Sequence, residues 1–257
     1  MKPRVAIPLP ISTDVEYNRL NWPAYADSVL AAGAEPVQFA LDLSRKQAAE
    51  LAATCQAILL PGSPADVNPD TYGQPLDEAT APTDQAREDL DRLLLDQAYA
   101  THKPILCICY GIQMLNVFHG GTLIQDLAVI PVNHAAGRSV VVAHSVNVAP
   151  ASLLASVLDP AEAPMVDGFR RLPINSSHHQ AIGIPGAELR ITARCPQDAV
   201  IEAVEGPYSP EHDLSHFVLG VQWHPERTTS SSATSRAIFS RLAHEAIAWH
   251  GSAVAAW

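Results

Sequence analysis

The stretch Lys103-Pro-Ile-Leu-Cys-Ile-Cys-Tyr-Gly-Ile-Gln-Met-Leu-Asn116 decides the reading of this chain. Lys103-Pro104 leads into an apolar strand, Ile105–Ile108, and a helix follows from Ile112 to about Phe118. Cys109 stands at the turn between them with Gly111 two residues on, the layout of a nucleophile elbow. Such a turn pinches the backbone, so small residues are needed near the nucleophile. It also sets the thiol at a helix N-terminus, where the positive end of the helix dipole favours thiolate. The backbone N–H of Tyr110 is then free to serve as one oxyanion donor. Cys107 lies inside the strand and is read as core.

Upstream of this segment, short apolar runs alternate with helical stretches, the pattern of a mostly parallel sheet covered on both faces. Arg4–Leu9 reads as a first strand. Asn21–Ala32 reads as a helix ending at Gly33, with Pro23 near its start, where a missing N–H is tolerated. Pro36–Ala40 is a second strand, and Ser44-Arg-Lys-Gln47 is a capping box opening a helix to about Thr54. Ala57–Leu60 is a third, buried strand that ends in Pro61-Gly62-Ser63. Residues 63–83, with four prolines and no periodicity, form a long loop, and long loops in compact domains are usually functional. Asp84 caps a helix whose stripe of Leu90, Leu93, Leu94 and Ala98 runs to about Thr101.

Downstream of Gly120-Gly121 the pattern turns strand-like: Ser139–Val148, Leu189–Cys195, Ala199–Val204 and Phe217–Gln222, with a short helix near Ser152–Leu158. An amphipathic helix from about Ser230 to Trp249 closes the chain. The expected fold is α/β, a three-layer α/β/α sandwich with a mostly parallel central sheet and flavodoxin-like topology. No repeat or linker divides residues 1–257, so a single domain is expected.

The 257 residues are 47% hydrophobic and 17% charged, which suits a substantial core and excludes a disordered or fibrous chain. Pro, Asp, Arg or His interrupts every apolar run, so no membrane span is expected. A formal net charge of −11 repels phosphate backbones, and nucleic acid is an unexpected partner. Four cysteines without a CxxC pair fit a reducing, cytoplasmic setting.

A nucleophilic thiol needs a base and a group that orients the base. Phe217-Val-Leu-Gly-Val-Gln-Trp-His-Pro-Glu226 supplies both, as an apolar strand whose end carries His224 and Glu226. In extended backbone, side chains two apart lie on one side, so Glu226 can reach the imidazole edge that His224 does not present to sulfur.

The Cys-Tyr-Gly-Ile-Gln elbow and the terminal His-Pro-Glu resemble the Cys, His and Glu triad of class I glutamine amidotransferase-like hydrolases. Three further stretches, Leu59–Gly73, His119–Leu127 and Asn175-Ser-Ser-His-His-Gln-Ala181, are similar to the branch that contains gamma-glutamyl-gamma-aminobutyrate hydrolase. The resemblance spans nearly the whole chain. It implies attack by Cys109 on a gamma-glutamyl amide, an oxyanion held by the N–H groups of Tyr110 and Gly62, and a thioester intermediate. It further implies that Ser63, Gln113, His178 and His179 line the substrate pocket, that the ligand is a small gamma-glutamyl compound, and that its hydrolysis serves amine or polyamine catabolism. No cofactor and no metal are expected, because no second cluster beside His178-His179 has ligand spacing, and a homodimer is the candidate assembly. Two residues depart from the pattern: Cys107 stands where glycine is common, and Tyr110 where this branch often has arginine. Two other uses of the scaffold are a glutaminase subunit that feeds ammonia to a synthase and a catalytically silent binding protein.

Overall fold

The computed structural model describes residues 2–129, 131–206 and 216–255. Four apolar runs become the parallel centre of the sheet: β1 (Arg4–Pro8), β3 (Ala57–Leu60), β4 (Ile105–Ile108) and β12 (Val218–Val221), with β2 (Glu35–Phe39) on their edge. In β3, β4 and β12 every residue is buried, as a strand covered on both faces requires. The order β2-β1-β3-β4-β12 is the flavodoxin-like arrangement expected from the sequence.

Beyond β12 the direction reverses. β11 (Ile201–Gly206) pairs antiparallel with β12, and β10 (Arg190–Arg194), β6 (His144–Val148), β8 (Phe169–Ile174) and β7 (Met165–Val166) continue the sheet antiparallel. Two short strands, β5 (Leu123–Ile124) and β9 (Ala181–Ile182), hang from β11. The expected strand over 139–148 is confined to β6, and β8 lies where the sequence showed no strand pattern.

Helices cover both faces. α1 (Val15–Ala31), the short α5 (Leu153–Ser156) and α6 (Ala233–Ala255) pack one side, where Tyr25, Val29, Leu154, Ile238 and Leu242 meet Leu59, Leu106 and Leu219. α2 (Arg45–Ala53), α3 (Gln85–Thr101) and α4 (Tyr110–Phe118) pack the other, where Ala52, Leu94, Ile112 and Leu115 meet Ile58, Leu60 and Cys107. The capping box at Ser44 and the Asp84 cap form as expected. α1 begins six residues earlier than Asn21, because Asp14 caps it by accepting from the Tyr17 N–H. Pro23 therefore lies inside the helix rather than near its start. All four cysteines are free and buried.

One buried ion pair binds the active end of the sheet together. Arg87 of α3 is fully buried and donates through Nε to both Asp91 oxygens at 2.9 Å. Its remaining nitrogens reach Pro10 O at 2.9 Å, just past β1, and Pro61 O at 2.6 Å, just past β3. Its guanidinium lies over the Tyr110 ring, 4.8 Å from the centroid. The planar fork thus pins two strand ends and the first residue of α4 at once. Asp91→Ala leaves that cation buried and unpaired, and is expected to lower unfolding free energy by about 3–5 kcal/mol in denaturant titration. A loss under about 1 kcal/mol would show that the pin is dispensable. Among the described residues, no helix is long and apolar enough to cross a membrane.

Candidate active site

β4 ends at Ile108, and Cys109 adopts φ 54° and ψ −108° before α4 starts at Tyr110. L-residues rarely adopt that backbone, and holding one there costs on the order of 1–3 kcal/mol. The turn is tied on both sides: the Cys109 N–H donates to Val221 O at 2.9 Å, while Cys109 O accepts from the N–H groups of Ile112 and Gln113. Gly111 shows how tight the bend is. A Cβ there would press into the Leu60 carbonyl oxygen and lie 2.9 Å from the Leu60 Cβ. Because strand backbone cannot move aside, Gly111→Ala is expected to cost about 3 kcal/mol, read as a lowered denaturation midpoint. An unchanged midpoint would refute this account of the elbow.

His224 arrives from the end of β12 and is held by its own backbone. Asn175 clamps it reciprocally, Nδ2 donating to His224 O at 2.8 Å and Oδ1 accepting from the His224 N–H at 2.9 Å. His224 Nδ1 and Glu226 Oε1 are 2.7 Å apart. The extended backbone expected between them gives way to a 3₁₀ turn over Pro225–Arg227, since a proline suits the first position of a helical turn. The contact between the two side chains is kept.

His224 and Cys109 flank one glycine. A Cβ placed on Gly62 would lie 3.0 Å from His224 Cε1 and 3.5 Å from Cys109 Cβ. Burial pushes the imidazole toward its neutral form, but the charge of Glu226, together with the charge and hydrogen bond of Cys109, outweighs it and raises its pKa to about 9. Burial likewise works against ionising Glu226, and His224 reverses the effect and holds the carboxyl low. The Arg227 guanidinium lies 3.1 Å from His224 Nε2, where only a neutral imidazole could accept a bond from it.

The cleft beside Cys109 has a volume of about 220 Å³. That is below the usual range for drug-sized ligands, so it suits a small acyl group. Ser63, Tyr110, Gln113, His178 and His179 all line it. Gln113 is buried rather than solvated, with Nε2 donating to Gln180 O at 3.0 Å. His179 sits between two carboxylates, Asp66 at 3.0 Å and Asp126 at 3.2 Å. The Asp66 hydrogen bond is the main reason that its pKa rises to about 9, so the cleft carries a cation beside an acid.

Of the two expected oxyanion donors, Gly62 is engaged elsewhere. The Gly62 N–H points away and donates to the Tyr25 hydroxyl at 3.1 Å. Among the described residues, no acceptor takes the N–H of Ser63 or of Tyr110. Tyr25, Arg87 and Asp91 carry no sequence signal for a role here, since each reads as an ordinary helix residue.

A model of the peptidase C26 family matches residues 12–226. The chain is 34% identical over 224 residues to the gamma-glutamyl-gamma-aminobutyrate hydrolase PuuD of Escherichia coli K12, covering 84% of this chain and 82% of that protein. It is 28% identical over 243 residues to a putative glutamine amidotransferase-like protein of Rickettsia prowazekii, covering 79% of this chain and 80% of that protein. Among solved structures, a putative GMP synthase protein from Thermoplasma acidophilum superposes with a TM-score of 0.59 at 12% identity, over 98% of this chain and 97% of that one. The glutaminase domain of Trypanosoma brucei CTPS with bound acivicin gives 0.59 at 14% identity, over 95% and 94%. These two structures speak to the fold.

Proposed function

Because the chain belongs to the peptidase C26 family of glutamine amidotransferase-like hydrolases acting on carbon–nitrogen bonds, we propose that it hydrolyses the gamma-glutamyl amide bond of small gamma-glutamyl amines through a thioester at Cys109. The observation that carries this reading is the strained Cys109 at the head of α4, sharing Gly62 as neighbour with an imidazole whose far nitrogen is held by Glu226.

With the proton of the Cys109 thiol held on His224 Nε2, the sulfur attacks the side-chain carbonyl carbon. Negative charge gathers on the carbonyl oxygen. The N–H groups of Tyr110 and Ser63 are the donors free to hold it, and each such donor typically contributes about 3–4 kcal/mol to the transition state. The carbon–nitrogen bond then breaks as the His224 imidazolium protonates the departing amine, leaving the glutamyl thioester. His224 next takes a proton from water, hydroxide adds to the thioester, glutamate leaves, and the proton returns to sulfur. Glu226 fixes the ring tautomer throughout and stabilises the imidazolium. Arg227 must move off Nε2 whenever that nitrogen holds the proton, since an imidazolium N–H cannot accept from a guanidinium.

Recognition fits the charges of the cleft. A carboxylate on the substrate finds the His179 cation, while an ammonium finds Asp66, which is the combination that a gamma-glutamyl compound presents. The testing experiment is a panel of gamma-glutamyl amides, glutamine included, assayed for free glutamate. Intact-mass detection of a glutamyl group on Cys109 after rapid quench accompanies it. Release from gamma-glutamyl amines well above that from glutamine is expected. Turnover of glutamine alone, stimulated by an added synthase, would overturn the reading in favour of an ammonia-supplying role.

A further inference from the structure

Behind the cleft wall, on the antiparallel side of the sheet, three histidines from three distant segments close around one carboxylate. His134, His144, His178 and Glu202 are all buried, and the Glu202 side chain is fully sealed. His134 Nδ1 lies 3.1 Å from Glu202 Oε1, His144 Nε2 at 3.0 Å and His178 Nε2 at 3.8 Å. Each outer nitrogen that matters is already held. His134 Nε2 meets Asp198 Oδ2 at 2.9 Å, and His178 Nδ1 meets the Gln180 carbonyl at 2.9 Å. A carbonyl accepts only an N–H, so His178 carries its proton on Nδ1 and presents a bare lone pair from Nε2.

Among the described residues, His134 Nδ1, His178 Nε2 and Glu202 Oε2 have no aligned hydrogen-bond partner. Unpaired polar atoms at this depth are rare in folded proteins. Protons can join both nitrogens to the carboxylate only by burying two imidazolium rings side by side. A tetrahedral cation takes both. Ligand bonds of about 2.0–2.1 Å put tetrahedral donor atoms roughly 3.3 Å apart, and the separations from Glu202 fall on either side of that value. The donors of His134, His178 and Glu202 lie within 4.8 Å of one another.

We propose that His134 Nδ1, His178 Nε2 and the Glu202 carboxylate form a binding site for a divalent transition-metal ion of the zinc type, with a water as fourth ligand. Two imidazoles and one carboxylate favour zinc over magnesium or calcium, which prefer all-oxygen shells. Asp198, the Gln180 carbonyl and His144 Nε2 are the outer partners that orient the ligands, the arrangement common around bound zinc. The Gln180 carbonyl also accepts from Gln113, so an ion here would lock the 175–180 loop against the cleft floor. The site rests on no feature of the reaction at Cys109.

The test uses chelator-treated full-length protein titrated with Co²⁺ and then Zn²⁺. One equivalent of cobalt is expected, with the visible absorption of a tetrahedral nitrogen–oxygen site that zinc bleaches, and a higher unfolding temperature with zinc. Cys109→Ser is expected to bind unchanged, which separates this site from the catalytic pair. Glu202→Gln and His134→Ala are expected to weaken binding at least 100-fold. Asp198→Asn, which removes only an outer partner, is expected to weaken it 10- to 100-fold and serves if the ligand variants fail to fold. Wild-type protein that takes up no cobalt at equivalent concentrations would overturn the proposal. So would binding that Asp198→Asn leaves untouched, or an intense thiolate band lost in Cys195→Ser, which would place the ion on His134, His144 and Cys195 instead.

Discussion

Cys109→Ala is expected to lower kcat by about 10⁵- to 10⁶-fold, because in the proposed mechanism its sulfur is the only protein atom that bonds to the substrate carbon, and such groups act as a unit. The loss should fall on kcat, with substrate binding retained in the cleft. A companion variant separates chemistry from strain. Cys109→Gly is equally inactive, yet glycine adopts the φ of 54° without a Cβ penalty. It is therefore expected to be more stable than Cys109→Ala by about 1 kcal/mol, the reverse of the usual order for these residues. Denaturant titration of the two variants decides the matter. An alanine variant as stable as the glycine one, or one that still turns over, would remove the strained nucleophile from the mechanism.

The second large effect concerns the base and its orienting group. His224→Ala is expected to cost about as much as loss of the thiol, whereas Glu226→Gln should cost about 10⁴-fold, since the base remains but its tautomer is wrong. The pH profile carries the sign. Glu226 and Cys109 raise His224 to about 9, so the imidazolium that protonates the leaving amine persists to that pH and kcat/KM falls as pH climbs through it. Replacing the carboxylate removes the first of the raising charges, and the alkaline limb should move toward neutrality by a unit or more. A limb that stays near 9 in Glu226→Gln would mean that another group sets it.

Much of this was legible in the sequence because it depends on local contrast. Ile105–Ile108 is uniformly apolar, Cys109 interrupts it and helical spacing follows, so strand, bend and helix announce themselves within fourteen residues. His224 and Glu226 were visible for the same reason, as polar groups at the end of a buried run. Other features depend on distant partners and left no trace. Asp14 caps α1, but Val15-Glu-Tyr-Asn-Arg19 shows no apolar helical periodicity, and Pro23 points to a later start. In β8 the segment Phe169-Arg-Arg-Leu-Pro-Ile174 hides its alternation behind two arginines and a proline, and only pairing with β6 makes it a strand. Gly62 looked like an oxyanion donor because its position is right, but the direction of an N–H is set by Tyr25, 37 residues away. The histidines around Glu202 are separated by up to 44 residues from one another, so no spacing rule brings them together.

The reversal of strand direction at β12 and β11 has its own consequence for how such a protein can change. The thiol and the base follow strands on one side of that seam, whose ends Arg87 braces from α3, while the 175–180 loop and its histidines come from the other. Cys109 and His224 thus stand on one half of the sheet and part of the cleft wall on the other, joined along a four-pair ladder and by the Asn175 clamp on His224. Changes in the far half can therefore reshape the cleft wall, but any that touch Asn175 carry through to the base as well.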